Sequence, residues 1–161
     1  MATDTPPPLP PAWTYVLRQQ VPGHSADVVY KYLCRPETPA ELHPLIVRFE
    51  VIDARHVVYY DRMQVLGMPL RDIRVPAEQT TVPAERKLYF ETRVSGTHVL
   101  HEYAVEPTAD GCEVVDSVLV EAPWGLRGYV VRTAREAHAG MLAALPAGVG
   151  KYLESQSGHN R

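Results

Sequence analysis

The sequence has few of the features that mark several large protein classes. It contains two cysteines, Cys34 and Cys112, in 161 residues, too few and too far apart for a disulfide framework or a zinc site. Lys and Arg together number 16 against 19 Asp and Glu, so the net charge is −3 and no block of like charges occurs. Because binding to phosphates needs a basic stripe, this composition argues against a nucleic-acid partner.

Long apolar runs are also missing. No run approaches the roughly 18 apolar residues of a bilayer-spanning helix, and the first thirty residues lack the charged-then-apolar pattern of a signal peptide. We therefore expect a cytoplasmic monomer or homodimer that does not insert into membranes.

Sequence motifs for several cofactor-dependent and hydrolytic activities are absent as well. The chain has no G-x-S-x-G, no P-loop and no G-x-G-x-x-G, which argues against a serine hydrolase, an NTPase and a dinucleotide enzyme. Its seven histidines are scattered without an accompanying set of carboxylates, so we expect neither a metal site nor a cofactor.

The length suits one globular domain. Five prolines fall within the first eleven residues and predict an extended, disordered arm over 1–11, because proline lacks a donor N–H. The polar end predicts a second disordered segment over 154–161. The domain itself is expected to span 12–153.

Hydrophobic periodicity predicts an α+β fold. Residues 12–21 alternate as a strand does, and a turn ending at Ser25, a good N-cap, precedes a helical pattern. Thr38 is the expected cap of a second short helix over about 39–43. A period of two then predicts six strands with short turns between them, which makes neighbours antiparallel: 45–53, 56–66, 70–82, 86–94, 97–105 and 112–121.

A helical period returns after Pro123 and predicts a long amphipathic helix over 123–145, kinked or broken at Pro146 before the last turns. A curved antiparallel sheet needs its concave face covered, and this helix is the only predicted element long enough to cover it. We therefore expect an internal space between the helix and the seven-stranded sheet. A cystatin-like cone, in which helices come first, is the main competing fold, and the leading strand argues against it.

The run VPGHSADVVYKYLCRPETPAELHPLI and the closing WGLRGYVVRTAREAHAGMLAAL resemble the START/polyketide-cyclase (SRPBCC, birch-pollen-allergen-like) superfamily. The resemblance covers about residues 12–153 and implies the helix-grip fold, with two short helices after the first strand and a cavity for an apolar or aromatic small molecule. Members of this superfamily include ligand carriers, aromatase/cyclases and co-chaperones, so the resemblance does not choose between binding and catalysis.

Turn chemistry places particular residues on the expected cavity face. The two-residue Ser95–Gly96 turn puts Phe90 opposite His101 and Leu88 opposite Tyr103, and the opposite face is charged, so the first face is the buried one. A loop over 106–111 would then put His101 opposite Asp116, or opposite Ser117 if the loop differs by one residue.

We infer tentative catalytic roles for His101 and Asp116, as a hydrogen-bonded pair within the cavity. A histidine on an apolar strand face is more often a hydrogen-bonded core residue than a base, and that alternative stays open. The Gly67–Met68 turn predicts Asp61 opposite Arg74, a pair that can equally be a surface ion pair. The full set of candidate ligand-binding residues is Tyr59, Asp61, Met63, Arg74, Leu88, Phe90, Val99, Tyr103, Val118, Trp124, His138 and Met141.

Two functions follow from this set. The first is binding of a hydrophobic or aromatic small molecule, lipid-like or polyketide-like, in the internal cavity. The second is a polyketide cyclase/aromatase-type or dehydratase-type enzyme that uses cavity His, Asp, Tyr and Arg side chains for proton transfer. A co-chaperone role is weaker, because no exposed apolar patch is evident in the sequence.

Overall fold

The computed structural model describes residues 5–65 and 67–158, and it leaves the side chains of residues 63–65, 70 and 71 undescribed. Seven antiparallel strands form a sheet in the order β1-β7-β6-β5-β4-β3-β2. This arrangement confirms the predicted α+β helix-grip fold. The strands are β1 Tyr15–Pro22, β2 Ile46–Val51, β3 His56–Val65, β4 Met68–Val82, β5 Lys87–Val94, β6 Thr97–Thr108 and β7 Gly111–Glu121.

Two short helices connect β1 to β2, as expected. Helix α1, Ala26–Leu33, begins at Ser25, whose hydroxyl accepts a hydrogen bond from the Val28 N–H. Helix α2 spans Thr38–Leu42. The prediction that Thr38 caps α2 is wrong: its hydroxyl donates to the carbonyl of Tyr32 over 2.5 Å and so ties α2 to the end of α1.

The β5–β6 hairpin has the predicted register, with Val94 opposite Thr97, Phe90 opposite His101 and Leu88 opposite Tyr103. Ser95 and Gly96 both have positive φ, 49° and 76°, as a type I′ turn requires. The register expected for β6–β7 is wrong by two residues on the β7 strand. These strands continue to Thr108 and Gly111, so a tight turn replaces the expected loop, and His101 lies opposite Val118 while Tyr103 lies opposite Asp116.

The register expected for β3–β4 is also wrong. Asp61 lies opposite Ile73, and Arg74 lies opposite Tyr60, because the pairing shifts between Asp61 and Met63. Asp72 has a positive φ of 55° at this irregularity. A β-bulge inserts an extra residue on one strand. The predicted pairing counted residues outward from the Gly67–Met68 turn and therefore did not allow for this extra residue. Asp61 and Arg74 therefore lie on opposite faces of the sheet.

The long helix α3 spans Arg127–Gly158, so it begins later and ends later than expected. Residues 123–126 instead form a turn in which Gly125 has a φ of 85° and the Leu126 N–H bonds to the Pro123 carbonyl. Pro146 lies inside α3 without ending it. The helix includes residues 154–158, which were expected to be part of a disordered tail. At the other end, residues 5–11 have no regular secondary structure.

The two halves of α3 pack differently. In its C-terminal half Leu142, Leu145 and Val149 are buried in the main core with Val29 and Tyr32 of α1. In its N-terminal half the small residues Ala134 and Ala137 face the concave side of the sheet, where they are too short to fill the space beneath them. The described helices include none with the length and hydropathy of a membrane span.

Candidate functional site

A cavity of about 210 Å³ lies between α3, the α2–β2 connection and the concave face of strands β3 to β6. Most of its lining is apolar, from Leu33 and Ile46 through Ile73, Leu88 and Val99. The lining residues that carry a polar group come from different elements: Thr38, His43, Tyr59, Asp61, Gln79, Thr92, Thr97, His101, Tyr103, Tyr129, Thr133 and His138.

His101 and Asp116 form a buried hydrogen-bonded pair, with 2.8 Å between Nδ1 of the ring and Oδ1 of the carboxylate. The histidine is 3% and the aspartate 0% exposed. Because Asp116 lies opposite Tyr103, the contact with His101 is a diagonal one across the two strands. A carboxylate only accepts hydrogen bonds, so Nδ1 of His101 carries a proton and Nε2 of a neutral ring is an acceptor.

Aromatic rings hold the His101 imidazole in place. It stacks on Tyr103 with ring centroids 5.2 Å apart and planes 5° apart, and its edge-to-face contact with His138 has a centroid distance of 4.3 Å. Burial and then the Asp116 charge raise the pKa of the Tyr103 phenol well above its ordinary value. Tyr103 is therefore a neutral phenol at physiological pH.

His138 is the second oriented histidine of the cavity. Its Nδ1 lies 2.7 Å from the Tyr15 hydroxyl of β1, and it also contacts the ring of His43 with centroids 5.8 Å apart. Burial, and then the neighbouring His101 and His43, hold the pKa of His138 well below 6.5. Burial and His101 lower the pKa of His43 to about 4. Both rings are thus neutral near pH 7.

Asp61 differs from the other polar lining residues. Among the residues that the structure describes, its Oδ1 is one of the buried side-chain oxygens that have no hydrogen-bond partner. Burial raises the pKa of Asp61 to about 6. By contrast, the Tyr59 hydroxyl donates to the carbonyl of Pro36 over 2.8 Å, and the Gln79 amide donates to that of Cys34 over 2.7 Å.

Most of the residues predicted from the sequence line this cavity. Nine do so, from β3, β5, β6 and α3: Tyr59, Asp61, Leu88, Phe90, Val99, His101, Tyr103, His138 and Met141. Asp116 lies behind them, in contact with His101. The side chain of Met63 is outside the described residues.

Three predicted residues lie elsewhere. Arg74 is exposed on the convex face, beside Pro76 and Glu78, because the β3–β4 bulge changes the pairing. Val118 is buried in a separate cluster with Tyr15 and Val120 instead of lining the cavity. Trp124 is 100% exposed, because the turn at Gly125 precedes the helix that was expected to contain it.

Several lining residues are not in the predicted set, and three groups of them show why. His43 belongs to the α2–β2 connection and Ile46 is the first residue of β2. At these positions the sequence has no regular alternation that would predict which way a side chain points. Ile73, Val75 and Gln79 alternate along β4, and their alternation could have identified this face. Tyr129, Thr133 and Ala137 lie one position before Val130, Ala134 and His138, which recur at helical spacing on the apolar face expected from the sequence. A wider helical stripe would have included them.

The cavity histidines do not form a metal centre. Within the described ranges, no group of three or more His, Cys, Asp or Glu side chains is arranged to hold a metal ion. His101 and His138 instead bond to Asp116 and Tyr15 through Nδ1.

Comparison with protein families gives one match over nearly the whole chain. A family model described as polyketide cyclase/dehydrase and lipid transport matches residues 13–152. No curated protein matches significantly.

Solved structures share the fold at low sequence identity. TTHA0849 from Thermus thermophilus is 15% identical with a TM-score of 0.68, over 85% of this chain and 97% of that one. The ZhuI aromatase/cyclase from Streptomyces sp. R1128 is 12% identical with a TM-score of 0.63, over 86% and 93%. The di-domain ARO/CYC BexL, from the BE-7585A biosynthetic pathway, is 19% identical with a TM-score of 0.63, over 84% of this chain and 45% of BexL. This chain therefore spans less than half of BexL.

Proposed function

The chain belongs to the polyketide cyclase/dehydrase and lipid transport family, and from this premise we propose that it binds a hydrophobic or aromatic small molecule, lipid-like or polyketide-like, in the cavity beneath α3. The observation that supports this most is a space of about 210 Å³ that is lined mainly by apolar side chains and is left open by Ala134 and Ala137. The oriented polar groups at His101 and His138 would set the position of the ligand.

Burial of apolar surface supplies the affinity. An aromatic group of about 200 Å² contributes about 5 kcal/mol when it leaves water, before the costs of association are subtracted. The surrounding aromatic rings favour a flat ligand, since Tyr59 and Phe90 lie 5.7 Å apart and Phe90 and His101 lie 6.2 Å apart, centroid to centroid. His101 and His138 are already held by Asp116 and Tyr15. They can therefore add directional contacts to a ligand without changing their own orientation.

The test is a titration with N-phenyl-1-naphthylamine, a neutral dye that fluoresces in apolar surroundings. Wild-type protein should give a saturable increase in fluorescence. Ala137→Phe should weaken binding by about tenfold or more, because Ala137 lines the cavity and the added ring fills it. Ala139→Phe is the matched control, since Ala139 is exposed on the same helix.

Equal dye affinity in both variants and the wild type would contradict binding in the cavity. Fluorescence that does not saturate with wild-type protein would also contradict it, provided that circular dichroism shows the protein to be folded.

A cyclase/aromatase-type or dehydratase-type enzyme is the second candidate, and the His101–Asp116 pair favours it. Asp116 orients the ring from behind, so the Nε2 acceptor of His101 is available to remove a proton from a carbon next to a ligand carbonyl. The neutral Tyr103 phenol beside it is a possible donor to the carbonyl oxygen. Neither Arg74 nor any other arginine lies among the described lining residues.

Proton exchange tests this candidate directly. In D2O the protein should accelerate deuteration of 4-phenylbutan-2-one next to its carbonyl, measured by NMR. His101→Gln should return the rate to that of buffer while leaving dye binding within about threefold of wild type. Equal exchange rates with the wild type and His101→Gln would exclude His101 as the base.

A further inference from the structure

Asp61 is the one acidic residue among the described residues that line the cavity, and no described side chain there is its partner. One of its oxygens, Oδ1, is fully enclosed, and no hydrogen bond or ion pair joins this carboxyl to any other described residue. Buried carboxylates in proteins are ordinarily paired, because an isolated one costs several kcal/mol. Asp61 is half-buried as a residue. Asp116, which is fully buried beside the cavity, has one partner, since its Oδ1 accepts a hydrogen bond from His101, while its Oδ2 has none.

The described part of the cavity lining brings no lysine or arginine side chain to Asp61. Burial keeps His43 and His138 neutral near pH 7, and His101 already bonds to Asp116. Tyr59 on the same strand donates to Pro36, away from the Asp61 carboxyl. The described side chains around the cavity therefore leave the charge of Asp61 uncompensated.

We propose, on the basis of the binding function proposed above, that Asp61 selects apolar ligands that end in a hydrogen-bond donor, above all an ammonium group, and excludes apolar carboxylates. The cavity is then a site for aryl or alkyl amines and, more weakly, alcohols. Asp61 is the specificity-determining residue of this site.

Simple electrostatics gives the order of preference. An ammonium donates charge-assisted hydrogen bonds to a carboxylate, which are roughly twice as strong as neutral ones. A hydroxyl donates one neutral bond to the same oxygen. A second carboxylate offers only acceptors and places like charges in a poorly solvated space, where their repulsion is stronger than in water. The free-energy cost of desolvating Asp61 is incurred when the protein folds. A cationic ligand therefore gains the attraction of the carboxylate without that cost being added on binding.

Three matched probes test the selectivity: 3-phenylpropylamine, 3-phenylpropan-1-ol and 3-phenylpropanoate, each displacing N-phenyl-1-naphthylamine from the full chain. At about pH 8 the amine is charged and Asp61 is ionised. We expect the amine to bind about tenfold or more tightly than the carboxylate, with the alcohol between them.

Asp61→Asn keeps the shape of the side chain and removes its charge. In this variant the amine and the carboxylate should bind within about threefold of each other, while the affinity of the alcohol changes by less than about threefold. Glu50→Gln is the control for net charge, because Glu50 is exposed on β2 outside the cavity. It should keep the wild-type order.

If the alcohol binds to the wild type but the amine and the carboxylate bind equally well, or the carboxylate binds more tightly, the proposal about Asp61 is overturned and the proposed binding function stands. A wild-type order that survives Asp61→Asn would overturn it as well. If the dye and all three probes fail to bind, the proposed function itself fails, and the inference fails with it.

Discussion

Individual side chains around the cavity are held in one orientation by partners outside it. Asp116 holds His101 and Tyr15 holds His138, while main-chain carbonyls hold Tyr59 and Gln79. Side chains fixed in this way lose little conformational freedom when a ligand binds. Asp61 is the exception described above, and the cavity thus combines a fixed polar framework with one unpaired charge.

Replacement of Asp116 tests the fixed framework. Asp116→Ala should lower the free energy of unfolding by about 2–4 kcal/mol, because it leaves the buried Nδ1–H of His101 without an acceptor. Asp116→Asn should cost less, because the amide oxygen can still accept that hydrogen bond. Urea unfolding of both variants gives the comparison. Equal losses for Asn and Ala would mean that the bond does not stabilise the fold.

Buried histidines predict acid sensitivity. The unfolded chain protonates His43 and His138 near pH 6.5, but burial keeps their folded-state pKa values lower, at about 4 for His43. Between these limits the unfolded state binds more protons, so stability falls as pH falls from 6.5 towards 4. Asp61 acts oppositely: its folded pKa of about 6 lies above the unfolded value, so its contribution to stability falls as pH rises from about 4 through 6.

Melting temperatures at about pH 6.5 and 4.5 measure both effects. His138→Gln should reduce the loss on acidification relative to wild type, and Asp61→Asn should increase it. His24→Gln, in the turn before α1, is the control and should follow the wild type. If His138→Gln loses as much as the wild type on acidification, His138 is not held neutral by the fold.

At the scale of elements, the C-terminal half of α3 packs in the main core and its N-terminal half covers the cavity. Gly148 lies where the packed half approaches α1 and α2 closely. A Cβ on Gly148 would lie 2.6 Å from the Tyr32 hydroxyl and 2.7 Å from Leu42 Cδ2, whereas a Cβ on Gly150 would meet nothing within 4 Å. Alanine favours a helix over glycine by about 1 kcal/mol. Gly150→Ala should therefore stabilise the protein, and Gly148→Ala should destabilise it by about 1–3 kcal/mol.

Thermal unfolding of the two alanine variants is a direct comparison, since both changes add the same methyl group to the same helix. A stabilising effect of Gly148→Ala would show that α3 does not approach α1 and α2 this closely.

The apolar side of α3 can be tested with a buried charge. Leu142 is 3% exposed, and Leu142→Asp should cost about 4 kcal/mol or more, because it buries an unpaired carboxylate and removes a core side chain. Ala143→Asp, at the next and exposed position, should cost less than about 1 kcal/mol. Circular dichroism in urea distinguishes them. Equal tolerance would contradict the burial of this face of α3.

Hairpins show what the sequence can and cannot predict about elements. The Ser95–Gly96 turn is predicted correctly because Gly96 adopts positive φ at no steric cost and the alternation of the flanking strands is unbroken. The β6–β7 hairpin is misread because Pro107 and Thr108 resemble loop residues, yet they continue β6 to the tight turn at 109–110. Pairing with β7 overrides local preference there. His101 and Asp116 nevertheless form a hydrogen bond. They are not directly opposite each other, but they are diagonal neighbours on β6 and β7.

Helix α3 shows the same limit. Pro146 predicts a kink or a break because it lacks an N–H. The helix continues through it, and Val149 beyond the proline is fully buried in the main core with Tyr32. Tertiary packing thus outweighs one lost hydrogen bond. Such packing involves residues more than a hundred positions apart, and the periodicity of a single segment contains no information about it.

For the whole molecule, the cavity follows from closure of a curved sheet by a helix with small residues at its centre. The strand face of this site was predictable from alternation and one turn. The α2–β2 connection with His43 and the first turns of α3 with Tyr129 join the lining only when the chain closes. The central claim is that an apolar ligand occupies the space so formed.

Methionine methyl groups provide the most direct test of that claim. Met141 lines the cavity and is 5% exposed, whereas Met68 is 65% exposed at the β3–β4 turn. With 13C-methyl-labelled methionine and bound 3-phenylpropylamine, we predict intermolecular NOEs from the phenyl protons to the Met141 methyl group and none to that of Met68. Saturable binding with NOEs to Met68 alone, or to neither methyl group, would contradict a ligand beneath α3.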